Sequence, residues 1–157
     1  MSLSIFAFLP RASGEGQELL KAVAPLVAGG RLEVYHDLEG FAAGIRRPKD
    51  PSSVAIVWDP TREDLRGIAA LRPLLAGVRT LLALPDEDAE TVVLAHEVLP
   101  AYVGYVDDGV SDIVSVLERL AASGRAGFFD PFHDAGRNAL IALSFTLAWT
   151  ISPIAWQ

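Results

Sequence analysis

The sequence predicts a three-layer α/β domain, a parallel sheet covered by helices on both faces, and three observations carry that prediction. Short apolar segments of strand length alternate with longer segments whose apolar residues recur at helical spacing. Five such pairs follow one another between Ser2 and Gly124, each close to the minimum length of a right-handed crossover. One segment, Val54–Trp58, is apolar throughout and rich in β-branched residues, as a strand buried on both faces has to be. With 157 residues and 51% hydrophobic content, the chain can bury roughly two-thirds of the surface its unfolded form exposes. One core then suffices without a covalent staple.

Leu3–Leu9 reads as the first strand, ended by Pro10, with Ser13 as N-cap of a helix carrying Leu19, Leu20, Val23 and Leu26 inward. Gly29 and Gly30 stop that helix. Arg31–Tyr35 alternates like an edge strand, and Leu38, Phe41, Ala42 and Ile45 keep helical spacing up to Pro48. After the linker PKDPSS comes Val54–Trp58, the third strand. Thr61 and Asp64 approximate a capping box for a helix with the stripe Leu65, Ile68, Ala69, Leu71, Leu74 and Leu75. Thr80–Leu84 is the fourth strand; Asp86 or Asp88 caps a helix presenting Val92, Val93, His96 and Leu99. Tyr102–Val106 is the fifth, and Asp108 or Ser111 opens a last helix carrying Ile113, Val116, Leu117 and Leu120, closed by Gly124. Because the second strand alternates as an edge does, while the first and third read as central, the expected order is the flavodoxin-like 2-1-3-4-5.

Composition removes several function classes. The chain has no cysteine, which excludes a disulfide framework, a thiolate zinc site and cysteine catalysis, and agrees with a reducing compartment. Asp and Glu number 20 against 13 Lys and Arg, a formal net charge of -7, so the summed field repels a phosphate backbone and nucleic acid is not an expected partner. No basic stretch precedes the apolar run near the amino terminus, and that run is too short for a secretory signal; a cytoplasmic protein is expected. His36, His96 and His133 are scattered, without HExxH or a nucleophile elbow, so hydrolase chemistry is not supported.

In its (βα)5 rhythm, length and hydrophobic pattern, the stretch from Ser2 to Gly124 resembles the receiver domain of two-component response regulators. The resemblance implies an acidic pair after the first strand, an acceptor aspartate after the third, a hydroxyl after the fourth and a lysine after the fifth. Three carboxylates hold magnesium against phosphoryl oxygens, while the lysine and hydroxyl bind the remaining charge. Here the first strand ends Phe8-Leu9-Pro10-Arg11, the fourth Ala83-Leu84-Pro85, and the fifth Tyr105-Val106-Asp107-Asp108. Apolar residues and a fixed positive charge replace the metal pair, and an acid stands near the lysine's place. Only Asp59 remains as a candidate phosphoacceptor, and Asp-Pro-Thr after a strand is also ordinary turn chemistry, the preferred reading.

Asp59, Asp86, Asp88, Asp107 and Asp108 all follow strands and form a candidate acidic group along the carboxyl edge, where open α/β sheets bind ligands. Helix capping accounts for each of them without a metal. The first βα loop, PRASGEG, is glycine-rich but matches no phosphate-binding fingerprint, and Glu15 lies where an anion would approach. Trp58, Tyr102 and Tyr105 are expected in the core rather than stacked on a flavin. No cofactor is expected.

The organisation expected is a receiver-like domain over 1–124, a linker over 125–138 and a hydrophobic tail over 139–157. The tail contains no charged residue; as a helix, Ala139–Trp156 is apolar nearly all round and just long enough to cross a hydrocarbon core, while as a strand Leu143, Phe145, Leu147, Trp149 and Ile151 alternate with smaller or polar residues, and both readings stand. Such a segment needs shelter in its own domain, in a second copy or, as a lower-ranked choice, in lipid. The sequence thus points to a non-enzymatic pseudo-receiver that binds a protein partner independently of phosphorylation, with homodimer formation expected through its last units or tail. The alternatives are an authentic phosphoacceptor using Asp59 and a binder of flavin, nucleotide or metal at the carboxyl edge.

Overall fold

The structure, a computed structural model, describes residues 3–123. The linker 125–138, the tail 139–157 with Leu143, Phe145, Leu147, Trp149 and Ile151, and the closing Gly124 lie outside the described residues. Five strands form one parallel sheet in the order β2-β1-β3-β4-β5. They are β1 (Ser4–Phe8), β2 (Arg31–Tyr35), β3 (Ser53–Trp58), β4 (Arg79–Leu84) and β5 (Tyr102–Tyr105). The helices are α1 (Gly14–Val23), α2 (Leu38–Arg46), α3 (Arg62–Ala70), α4 (Arg72–Leu75), α5 (Ala89–Glu97) and α6 (Val110–Ala122). The order expected from edge-like and central strand patterns is the one observed.

Alternation along the strands sorts side chains to two cores. Ile5, Ala7, Val54, Ile56, Trp58, Leu81 and Ala83 pack with Leu19 and Val23 of α1 and with Ile113, Val116 and Leu117 of α6. Phe6, Phe8, Ala55, Val57, Leu82 and Leu84 face the other way, against Phe41 and Ile45 of α2, Leu65 and Ile68 of α3, and Leu94 and Ala95 of α5. Each fully buried aliphatic side chain contributes about 1.5–3 kcal/mol of transfer free energy, so β3, buried at every position, anchors both layers.

Local chemistry explains the helix boundaries. Ser13 caps α1 by accepting the Gly16 N–H at 3.0 Å, and Asp37 caps α2 through Gly40 N–H. The Thr61–Asp64 capping box is complete: Thr61 Oγ1 accepts from Asp64 N–H at 3.0 Å, and Asp64 Oδ2 from Thr61 N–H at 2.9 Å. Where α1 meets Pro25 it tightens into a 3₁₀ turn, Ala24–Val27. Gly30 is required beyond it because a Cβ there would lie 2.0 Å from the Leu3 carbonyl oxygen.

Three expectations need correction, and one open choice is settled. The third helix is not continuous: Pro73 lacks the N–H that continuation needs, and a separate turn, α4, begins after Leu71. Val93 and Leu99 do not belong to the inner stripe of α5; they are 58% and 59% exposed, while Thr91, Leu94 and Ala95 are buried. Neither Asp108 nor Ser111 caps α6, because β5 runs into a 3₁₀ turn, Val106–Asp108, and Gly109 at φ 85° supplies the reversal. Of Asp86 and Asp88, it is Asp88 that caps α5, accepting the Glu90 N–H at 3.1 Å.

Candidate functional site

Parallel strands bring their carboxyl ends to one edge, and the register places Phe8 beside Val57, Trp58 beside Ala83 and Leu84 beside Tyr105. The chain leaving β1 at that edge is apolar. Leu9 is buried and donates its N–H to the Tyr35 carbonyl at 2.8 Å. The Leu9 carbonyl lies 2.9 Å from His36 Nδ1; since a carbonyl only accepts, Nδ1 carries the proton.

Asp59 stands directly after β3 with φ 53°, a left-handed conformation that aspartate tolerates better than most residues. Its N–H extends the ladder to the Ala83 carbonyl at 3.0 Å, so the backbone turns only after the sheet has been used to its end. The carboxylate, with the side chain 17% exposed, faces the Arg11 guanidinium at 3.6 Å. The charge opposite Asp59 is therefore a fixed cation from the first βα loop. Arg11 is half-exposed, and an ion pair at this distance contributes about 0–1 kcal/mol.

Among the described residues, the remaining edge acids form no metal-holding group with Asp59. Asp86 Oδ1 accepts the Asp88 N–H at 3.0 Å, a local turn bond. Asp88 caps α5 and pairs with Arg62 at 2.7 Å. Asp107 and Asp108 lie in the 3₁₀ turn after β5. Burial, then the charges of Glu87 and Asp108, raise the Tyr105 pKa, which places its hydroxyl among acids. Among the described residues, no three carboxylate or imidazole groups converge in a way that could hold a metal ion. Trp58 is 1% exposed and Tyr102 and Tyr105 are partly buried, all within core clusters. The Trp58 indole N–H has no hydrogen-bond partner among the described residues.

Two polar constellations were not legible in the sequence. On the edge strand, Glu33 is bound by Tyr35 and Arg47 and pairs with Arg31 at 3.2 Å. Burial disfavours the Glu33 carboxylate, but the hydrogen bonds from Tyr35 and Arg47 and the two arginine charges outweigh it and hold its pKa below the ordinary 4.5. The Tyr35 pKa moves up through burial and its bond to Glu33. The second constellation links α3 to α5 through Arg62, Arg66, Asp88 and Glu90. Its only sequence signal is the spacing of Arg62 and Arg66, which sets both on one side of α3.

No family model and no curated protein matches the chain. Solved structures do. A protein described as pilus assembly-related, from Burkholderia pseudomallei K96243, superposes with a TM-score of 0.55 at 17% identity, covering 76% of this chain and 90% of that one. A protein described as a pilus assembly protein, CpaE, from Burkholderia thailandensis E264 gives 0.55 at 17% identity, covering 76% and 98%. An atypical orphan response regulator, described as having a phosphorylation-independent regulatory mechanism, gives 0.57 at 16% identity, covering 76% and 96%. The chain has the receiver-like fold, with the sheet order common to flavodoxin-like proteins.

Proposed function

On this receiver-like frame we propose a pseudo-receiver: a non-enzymatic signalling module that engages a protein partner without phosphorylation. The observation that carries the reading is the charge arrangement at the carboxyl edge. Asp59 faces Arg11 at 3.6 Å, β1 is followed by Leu9 and Pro10, β4 by Pro85, and β5 by Val106 and Asp107. A transferred phosphoryl group requires a divalent cation held by carboxylates and a cation opposite it. Arg11 neutralises Asp59 where magnesium would be needed, and the acids after β5 repel an incoming phosphate.

Exposed apolar residues favour a protein partner. Val93 and Leu99 stand out from α5 and the turn after it, and Leu99 holds a φ of 56° that is unfavourable for a bulky residue. A second copy of the chain is one partner of this kind. The neighbouring structures are described by pilus assembly and by phosphorylation-independent regulation, roles that suit a docking module. No described helix is long and apolar enough to cross a membrane; we place the module in the cytoplasm, with the tail as the segment that would associate with lipid.

The full chain, incubated with acetyl phosphate or beryllofluoride and magnesium, is expected to show no phosphoryl adduct by intact mass and no shift of amide resonances around Asp59. A stoichiometric adduct lost in Asp59→Asn would replace this reading with that of an authentic phosphoacceptor.

A further inference from the structure

α5 meets the sheet layer through Leu94 and Ala95, with Val98 buried at its C-cap and Val92 partly buried beside them. To this apolar contact is added a set of arginines reaching from the preceding helices. Arg62, in the first turn of α3, donates through Nη2 to Asp88 at 2.7 Å, through Nη1 to Glu90 at 2.7 Å and through Nε to Thr91 Oγ1 at 3.3 Å. Arg66, one turn on, donates to the other oxygen of Glu90 at 3.0 Å. At the far end of α5, Arg72 of α4 donates to the Glu97 carbonyl at 3.1 Å. The helix is thus tied at both ends from the same neighbouring layer.

The charged side chains are exposed by 43–56%, so any single pair contributes little. The arrangement differs from isolated pairs because one guanidinium, fixed once, serves three acceptors and so loses its side-chain entropy only once. Its Nε bond also reaches Thr91, 1% exposed, which couples the surface charges to the layer beneath. Asp88 is at once the cap of α5 and an Arg62 partner, so displacement of the guanidinium disturbs the helix start directly.

We propose that Arg62 is the pin of a salt-sensitive clasp that sets the position of α5, together with the exposed Val93 and Leu99, on α3. The clasp presets the docking helix without any event at Asp59. It rests on the docking reading only for the use to which α5 is put; its existence is read by exchange, with or without a partner.

Hydrogen–deuterium exchange of the full chain tests it. In low salt, Arg62→Gln is expected to speed exchange of the amides of α5 roughly three- to tenfold while leaving α1 and α6 unchanged. Molar sodium chloride should produce the same local acceleration in the parent protein and little more in the variant. Glu90→Gln should act on the same amides, and the double variant should exceed the stronger single variant by little, since both open one clasp. Unchanged α5 exchange in Arg62→Gln, an equal acceleration in every helix, or full additivity of the two substitutions would overturn the proposal. A failure to find phosphorylation or a partner would leave these outcomes as they are.

Discussion

On one face of the sheet, α1 and α6 are held by Leu19, Val23, Ile113, Val116 and Leu117 over the aliphatic side chains of β1, β3 and β4. On the other, shorter helices share their apolar contacts with directed polar ones. Lys49 donates to carbonyls in the last turns of α2 and α4, at Ile45 and Leu74, Arg72 to the Glu97 carbonyl of α5, and Arg62 to Glu90 and Thr91 of α5 and to its N-cap Asp88. Apolar contact depends on area and little on angle or salt. Charge-assisted hydrogen bonds depend on geometry and are screened. Both faces have a buried apolar core; on the second, the α3–α5 contact also carries charge-assisted bonds, so that contact is the one salt is expected to weaken.

Leu117→Ala tests the contrast with the largest effect. Deleting this fully buried side chain of α6 is expected to cost about 2–5 kcal/mol in urea unfolding. The loss should be the same at low and high salt; an increment that shrinks on adding salt would break the distinction between the faces. Thr61→Ala removes one half of the capping box that starts α3 and should cost about 1 kcal/mol. Because α3 carries Arg62, that variant should also loosen α5 in exchange, and a loss confined to α3 would weaken the view that the second face is coupled through charge.

The smallest effect lies on the edge strand. Glu33 has a folded pKa below its ordinary 4.5. Its carboxylate therefore stabilises the fold fully above that value, and the contribution is lost as pH falls through the folded pKa. The stability difference between the parent and Glu33→Gln should be constant from neutrality down to the ordinary value and shrink below it. A difference that instead grew on acidification would show that Tyr35 and Arg47 do not favour the charged form.

Much of this was readable from residues alone, for reasons that differ from place to place. Ser13, Asp37 and Thr61 act within one turn of their own position, so spacing suffices to find two of these caps and would have found Asp37 as well. β3 was legible because burial on both faces selects apolar residues, and Val54–Trp58 is apolar throughout. Val93 and Leu99 are exposed although apolar, because the buried face of α5 runs through Thr91, Leu94 and Ala95, which leaves Val93 off it, and Leu99 lies past the helix end. Arg62 escaped notice because its acceptor Thr91 lies 29 positions away and a surface arginine has no sequence pattern that names its partner.

Periodicity and turn chemistry by themselves determined five βα units, which strands read as edge or central and the lack of an acidic pair after β1, since each depends on neighbours in sequence or on residue type; the full strand order was settled by the sheet itself. Only the folded chain decided that Arg11 lies against Asp59, that the edge acids separate into caps and pairs, and that α5 is tied down by guanidinium groups. Those outcomes are set by distances between segments remote along the chain, and electrostatic interaction depends on separation in space rather than on order in the sequence.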